Sequence, residues 1–217
     1  MTSYRAKPFR EKLLEWGEEN RRQFPWRDPD CLPYEVFVAE MLLRRTSAES
    51  VEPVYREFID RYPDFQSLKG ASQEELAEIL RPLGIHNKRA EAFRKIASKL
   101  VFSGIPDAEE ELLDLPHVGR YVANATLCFG FDQRKPIVDA NVARIYSRVF
   151  DMEVKSEELH NDNHLWDFAE SLLPEDRYRD YNLALLDHGA EVCTSQSPDC
   201  ESCPVCGVCN YYQSGAD

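Results

Sequence analysis

Apolar residues recur at three- and four-residue intervals along almost the whole chain, the spacing that lines one face of a helix. Phe9, Leu13, Leu14 and Trp16 mark a first amphipathic helix, stopped by Pro25. Tyr34 to Thr46 reads as a second, strongly apolar helix through Val36, Phe37, Val38, Met41, Leu42 and Leu43. Ser72-x-x-Glu75 and Asp107-x-x-Glu110 have the form of capping boxes and predict two further helix starts. A helix over 88–102 is closed by Gly104, with Pro106 just beyond it. No run of alternating strand positions, no internal repeat and no low-complexity linker interrupts this pattern. It predicts an all-α fold with short connections.

At 217 residues the chain makes one large domain or two small lobes, enough to bury a substantial core. It has no apolar run long enough to span a bilayer and no charged-then-apolar leader, so a soluble, cytoplasmic protein with no membrane partner is expected. A net charge of -13 runs against nucleic-acid binding, because phosphate neutralisation supplies most non-specific affinity. Only the contacting face must be basic, however. Local basic groups exist at Arg44-Arg45, Lys88-Arg89, Arg94-Lys95, Arg120 and Arg134-Lys135. The bias of arginine over lysine fits either a salt-adapted protein or an ordinary acidic one.

Four motifs carry candidate chemistry. Leu115-Pro116-His117-Val118-Gly119 lies between helical segments 107–114 and 120–130, the layout of a helix-hairpin-helix. Such a turn aims backbone N–H groups and a helix N-terminus at a DNA phosphate, and Gly119 removes a Cβ from the approach. A Leu-Pro-x-x-Gly turn also joins helices in many structural proteins. Asp139 follows Pro136-Ile137-Val138 and precedes a helical pattern through Val142, Ile145 and Val149, which makes it an N-cap or a carboxylate kept ionised by the helix dipole. Glu40, inside an apolar helix, is either on a solvent stripe or buried for proton transfer. Of seven cysteines, five fall between 193 and 209, and four follow the spacing Cys193-x6-Cys200-x2-Cys203-x5-Cys209. Clustered thiols in a reducing compartment point to metal rather than to a disulfide framework. Zinc and an iron–sulfur cluster both use four thiolates. Cys206 is an extra thiol inside the loop, and Cys31 and Cys128 read as structural.

Taken in order, several segments resemble the helix-hairpin-helix DNA glycosylase superfamily, which includes endonuclease III and MutY. They are Phe24-Pro25-Trp26-Arg27, Glu40 to Thr46, the hairpin with Tyr121, Val138 to Val142, Arg179-Asp180-Tyr181-Asn182, and the terminal cysteines followed by Tyr211-Tyr212. The resemblance covers nearly the whole chain and is strongest to the archaeal-type mismatch-specific thymine-DNA glycosylases. It implies a [4Fe–4S] cluster on Cys193, Cys200, Cys203 and Cys209, and a double-stranded DNA partner bearing a mismatched or damaged base, bound by a monomer. It assigns Asp139 to stabilising the oxocarbenium-like state of the deoxyribose and orienting water. Glu40 is assigned to the leaving base and Tyr121 to the pocket of the extruded base. Tyr121 stands where lyase members carry lysine, so base removal by water is implied, without a Schiff base.

The same resemblance assigns DNA contact to His117, Val118, Gly119 and Arg120 in the hairpin and to Asn141 beside Asp139. Flipping a base leaves a gap to fill. Arg44 and Arg45 are assigned to it, where arginine suits the acceptors of the orphaned guanine. As a lone pair they would read as surface charge. A second wedge loop corresponds to Leu83-Gly84-Ile85-His86-Asn87, with His86 facing DNA. His117 departs from the family, which has glycine there; histidine tolerates left-handed backbone angles better than most residues.

The expected architecture is two lobes with a DNA groove between them, where the hairpin, Glu40 and Asp139 converge. One is a helical barrel over 24–136, and the other combines 1–23 with 137–217. The expected function is monofunctional excision of thymine or uracil opposite guanine. The competing expectations are MutY-type adenine excision opposite 8-oxoguanine and a catalytically idle DNA-binding iron–sulfur protein. The chain ends soon after the cysteine loop, without the further domain that reads the oxidised guanine, which disfavours the first.

Overall fold

The computed structural model describes residues 3–154 and 159–215, and among them there are helices and turns but no strand. The described chain divides into two compact units, one from the segments up to Arg22 and from Arg134 onward, the other Gln23–Gln133. The sequence places these boundaries at 23/24 and 136/137.

The unit Gln23–Gln133 holds seven α-helices: α2 (Pro33–Leu42), α3 (Ala48–Arg61), α4 (Phe65–Gly70), α5 (Gln73–Leu80), α6 (His86–Leu100), α7 (Glu109–Leu113) and α8 (Arg120–Gly130). Their apolar faces meet in one core containing Phe37, Leu42, Phe58, Leu76, Leu80 and Phe93. Each such fully buried side chain contributes about 1.5–3 kcal/mol. Gly130 sets how closely α8 passes α2, since a Cβ on it would stand 3.1 Å from the Pro33 Cα. The capping box predicted at Ser72 is present: Ser72 Oγ accepts from the Glu75 N–H, and Glu75 accepts from the Ser72 N–H.

Two predicted helices differ. The box at Asp107 does not form; α7 starts after Ala108, which offers no capping side chain. The helix predicted over 34–46 stops at Leu42, and 44–45 form a turn. The cause is Arg89. Its guanidinium is buried and donates to the carbonyls of Met41, Leu42 and Arg44 and to Thr46 Oγ1, at 3.0, 3.2, 2.7 and 3.0 Å. These bonds satisfy the orphan carbonyls at the end of α2 and make a turn as favourable as another helical turn.

The other unit contains α1 (Ser3–Asn20), α9 (Ala140–Phe150), α10 (Asn163–Leu172), α11 (Tyr178–Glu191) and the short α12 (Asn210–Gln213). Its core is aromatic: Phe9 meets Phe150 edge-on at 5.1 Å and Tyr146 at 6.5 Å, beside buried Trp166 and Tyr181. Gly17 permits α1 to lie directly on α11, because a Cβ there would stand 2.7 Å from the Ala184 Cβ. Asp187, fully buried in α11, is matched by Arg22, whose Nε and backbone N–H both donate to it, at 2.8 and 3.1 Å. Arg134, expected as part of a basic patch, is instead used internally, donating to the carbonyls of Leu173 and Pro174. No helix among the described residues is long and apolar enough to cross a membrane.

Candidate functional site

Within Gln23–Gln133, Glu40 is 3% exposed on α2, which rules out the solvent-stripe reading. A carboxylate placed among Phe37, Val38, Ala39, Met41 and Leu42 opposes the folding energetics of that helix. Tyr121 occupies the second position of α8 and packs partly buried against the same core.

The hairpin closes with Leu115 and Val118 buried beneath it. His117 takes the left-handed conformation, φ 66°, so it occupies the glycine-type position of the turn. Gly119 does not: at φ -105°, ψ 174° any residue would fit, and a Cβ there would meet open space. Its small size leaves the N-terminus of α8 open to an incoming group. Arg120 follows in the first turn, 3.8 Å from Glu109.

Arg44 and Arg45 are exposed on the turn that Arg89 shapes, and Arg45 has φ 60°. His86 opens α6 and is half-buried. Sequence reasoning passed over Ile85 before it as an individual site residue. It is 62% exposed and left-handed at φ 42°, after Gly84 at φ 69°. A β-branched residue in that region is strained, and strain of this kind gathers at functional loops. In this unit three of the four non-glycine residues with positive φ, Arg45, Ile85 and His117, sit on the three loops expected to meet DNA; the fourth is Asp132. Arg89 also donates from Nε to the Gly84 carbonyl at 3.3 Å, so one buried guanidinium ties the 41–46 turn to the 83–87 loop. Read as half of an exposed basic pair in the sequence, it is a clamp.

In the other unit, Asp139 is the N-cap of α9, accepting from the Val142 N–H at 2.8 Å and from Asn141 Nδ2 at 3.1 Å. The residue keeps some surface, but protein atoms crowd its carboxyl. Burial raises its pKa, against the lowering effect of the Val142 and Asn141 hydrogen bonds and the Arg144 charge. Capping and chemistry are therefore compatible here: the hydrogen bonds fix the carboxylate while its setting makes the charge costly. Asn141 spends its amide inside the protein, its Oδ1 accepting from Arg144 at 2.9 Å. Arg144 continues to the carbonyls of Gly189 and Cys193 at 2.7 and 2.9 Å. One turn on, Arg148 donates to the carbonyls of Thr194 and Ser195, and its Nη1 stands 3.4 Å from Cys193 Sγ. Helix α9 thus holds Asp139 at its start and the beginning of the cysteine loop along its side.

Cys193, Cys200, Cys203, Cys206 and Cys209 line one cavity of about 20 Å³, together with Arg148, His188 and Tyr211. All five are free thiols. Burial pushes the Cys203 thiol up to about 12, and burial also raises Cys200 and Cys209, with neighbouring thiols adding to each. Such a group ionises together only around a cation. His188 places Nε2 3.3 Å from Cys203 Sγ while its Nδ1 is buried with no hydrogen-bond partner. An orphaned N–H is less tolerable than an orphaned lone pair, which favours the tautomer that donates to sulfur. Among the described residues no three His, Cys, Asp or Glu side chains close around a single ion. Cys31 and Cys128 lie elsewhere, Cys31 donating to the Pro25 carbonyl and Cys128 buried in α8.

Known proteins share this fold and sequence. Over 212 residues the chain is 39% identical to the thymine/uracil-DNA glycosylase of Pyrobaculum aerophilum, covering 94% of this chain and 92% of that protein. The solved structure of a thermostable thymine-DNA glycosylase superposes with a TM-score of 0.90 at 34% identity, over 98% of this chain and 99% of that one. Endonuclease III in a non-covalent DNA complex shares the fold, with a TM-score of 0.84 at 20% identity over 99% and 98% of the two chains. Residues 38–170, which include Glu40, the hairpin, Tyr121 and Asp139, match the family's pattern. The chain belongs to the HhH-GPD superfamily of base excision DNA repair proteins.

Proposed function

We propose that this protein, acting as a monomer, hydrolyses the N-glycosidic bond of thymine or uracil paired with guanine in duplex DNA and leaves the backbone uncut. The observation that carries the substrate is the likeness to a thymine/uracil-DNA glycosylase across 94% of the chain. Asp139 faces the positive charge that builds on the deoxyribose and orients water, and Glu40 hydrogen-bonds the departing base. Tyr121 shapes the pocket and, as a phenol, forms no Schiff base. The hairpin from His117 to Arg120 holds a phosphate, while Arg44, Arg45 and the 83–87 loop fill the vacated stack.

The same reading assigns a [4Fe–4S] cluster to Cys193, Cys200, Cys203 and Cys209. These four are among the five thiols that line one cavity, a donor set that suits a four-thiolate cluster. The cluster supplies a rigid cross-link for the 193–209 loop. A brown protein with iron bound supports the assignment, and a colourless one carrying zinc overturns it.

The function is tested by base release from matched duplexes containing G·T, G·U or adenine opposite 8-oxoguanine, with and without alkali. Strand breaks at G·T and G·U only after alkali are expected. Cleavage confined to the adenine mismatch would establish the MutY-type reaction instead, and nicks without alkali would reveal a lyase amine.

A further inference from the structure

In the unit Gln23–Gln133 a groove enclosing about 570 Å³ runs between α4, α6 and the hairpin. Lys69, Arg94, Lys95 and Lys99 line it, against Glu91 and Asp114. Three of the chain's eight lysines are therefore gathered here, in a protein of net charge -13. Their charge is mostly available. Among the described residues Arg94 is exposed with no ion-pair partner, Lys99 donates to the Asp114 carbonyl at 3.1 Å, and Lys69 lies 5.4 Å over the ring of Phe102. Lys95 is matched by Glu91 at 2.6 Å.

The ends of the groove point to its occupant. Pro116 of the hairpin lines one end. Gln73 lines another part, and its Nε2 donates to the Asn87 carbonyl of the 83–87 loop at 2.9 Å. The basic groove thus adjoins two loops that the DNA-repair reading already turns toward DNA. An acidic protein would also match the charge, but only a polyanion lying across both loops uses this placement.

We propose that the groove is a phosphate track that holds the DNA backbone outside the flipped nucleotide, with Arg94 and Lys99 as its principal contacts. The proposal rests on the DNA-repair reading but not on the identity of the excised base. Phosphate tracks of this kind bind without reading sequence, so they hold undamaged duplex and lesion alike.

The test is the salt dependence of binding to an undamaged duplex by the full chain, for the wild type, Arg94→Gln/Lys99→Gln, and the control Arg56→Gln. Arg56 is an exposed cation of the same unit, paired with Glu52 and outside the groove. Each lost phosphate contact flattens the log–log slope by about 0.9, so the double variant loses about tenfold less affinity than wild type between about 50 and 200 mM salt. Arg56→Gln is expected to keep the wild-type slope. A double variant with the wild-type slope overturns the track, and so does an equal flattening in Arg56→Gln, which would reflect overall charge. Base release from G·T measured on the same preparations separates the two claims. An altered slope in a protein that releases no thymine leaves the track standing without the proposed substrate.

Discussion

Gly189 in α11 faces Asn141 in α9 so closely that a Cβ on it would stand 2.7 Å from the Asn141 Cβ. Asn141 is the residue whose Nδ2 bonds Asp139, so the absence of a side chain at 189 maintains the position of the carboxylate. Gly189→Ala overpacks the contact at a cost of about 1–3 kcal/mol. It is expected to lower Tm by a few degrees and to slow base release while DNA affinity holds. An unchanged single-turnover rate in a folded variant would show that Asn141 does not position Asp139.

The raised pKa of Asp139 has a definite sign in the pH dependence of stability. A carboxyl whose folded pKa lies above its unfolded value favours folding at low pH, and that contribution disappears as pH rises through the folded pKa. Above the folded pKa the charge on Asp139 therefore weakens the fold. Asn caps a helix as well as Asp does. Asp139→Asn is expected to melt above wild type at pH 7, with the gap closing toward pH 4. Thermal unfolding across that range checks it, and a variant less stable at pH 7 would contradict the balance drawn here.

Arg89 bonds both the 41–46 turn and Gly84, so its loss is expected to loosen two loops at once. Arg89→Leu leaves several carbonyls unmatched and should cost about 2–4 kcal/mol. Hydrogen exchange should accelerate in 43–46 and in 84–87 together. Exchange confined to one loop would mean the two are held independently.

How much was legible in the sequence follows from the range of the interactions involved. Periodicity and the Ser72 box are local signals, and α1, α5 and α8 match them. The end of α2 depends on Arg89, 47 residues beyond Leu42, and nothing in the Tyr34–Thr46 pattern reports it. Arg134 misled in the same way, because an arginine's partners are tertiary whereas its charge is visible in one letter. His117 was legible as a tolerated left-handed residue, and Gly119 as a position where no Cβ stands in the way of an incoming group. Glu40 was visible as an anomaly, but only its burial decided between the two readings. The five-thiol cavity leaves the choice between Cys206 and Cys209 where the spacing left it.

Ile85 offers a separation of strain from function. Ile85→Gly relieves a left-handed β-branched backbone and removes an exposed apolar side chain. Stability is expected to hold or rise, since such strain costs about 1–3 kcal/mol. Excision should slow in a G·T duplex, where the base must be extruded, and hold when the thymine is already unstacked in a single-stranded bubble. Equal slowing on both substrates would assign Ile85 to the pocket rather than to the wedge.

The central claim is that Asp139 drives hydrolytic base removal, and single-turnover release of thymine from a G·T duplex by Asp139→Asn tests it most directly. Asn keeps the cap and removes the charge. The expected result is a loss of about 10²–10³-fold or more, with duplex affinity retained. Wild-type release by a folded, DNA-binding Asp139→Asn protein would contradict the mechanism.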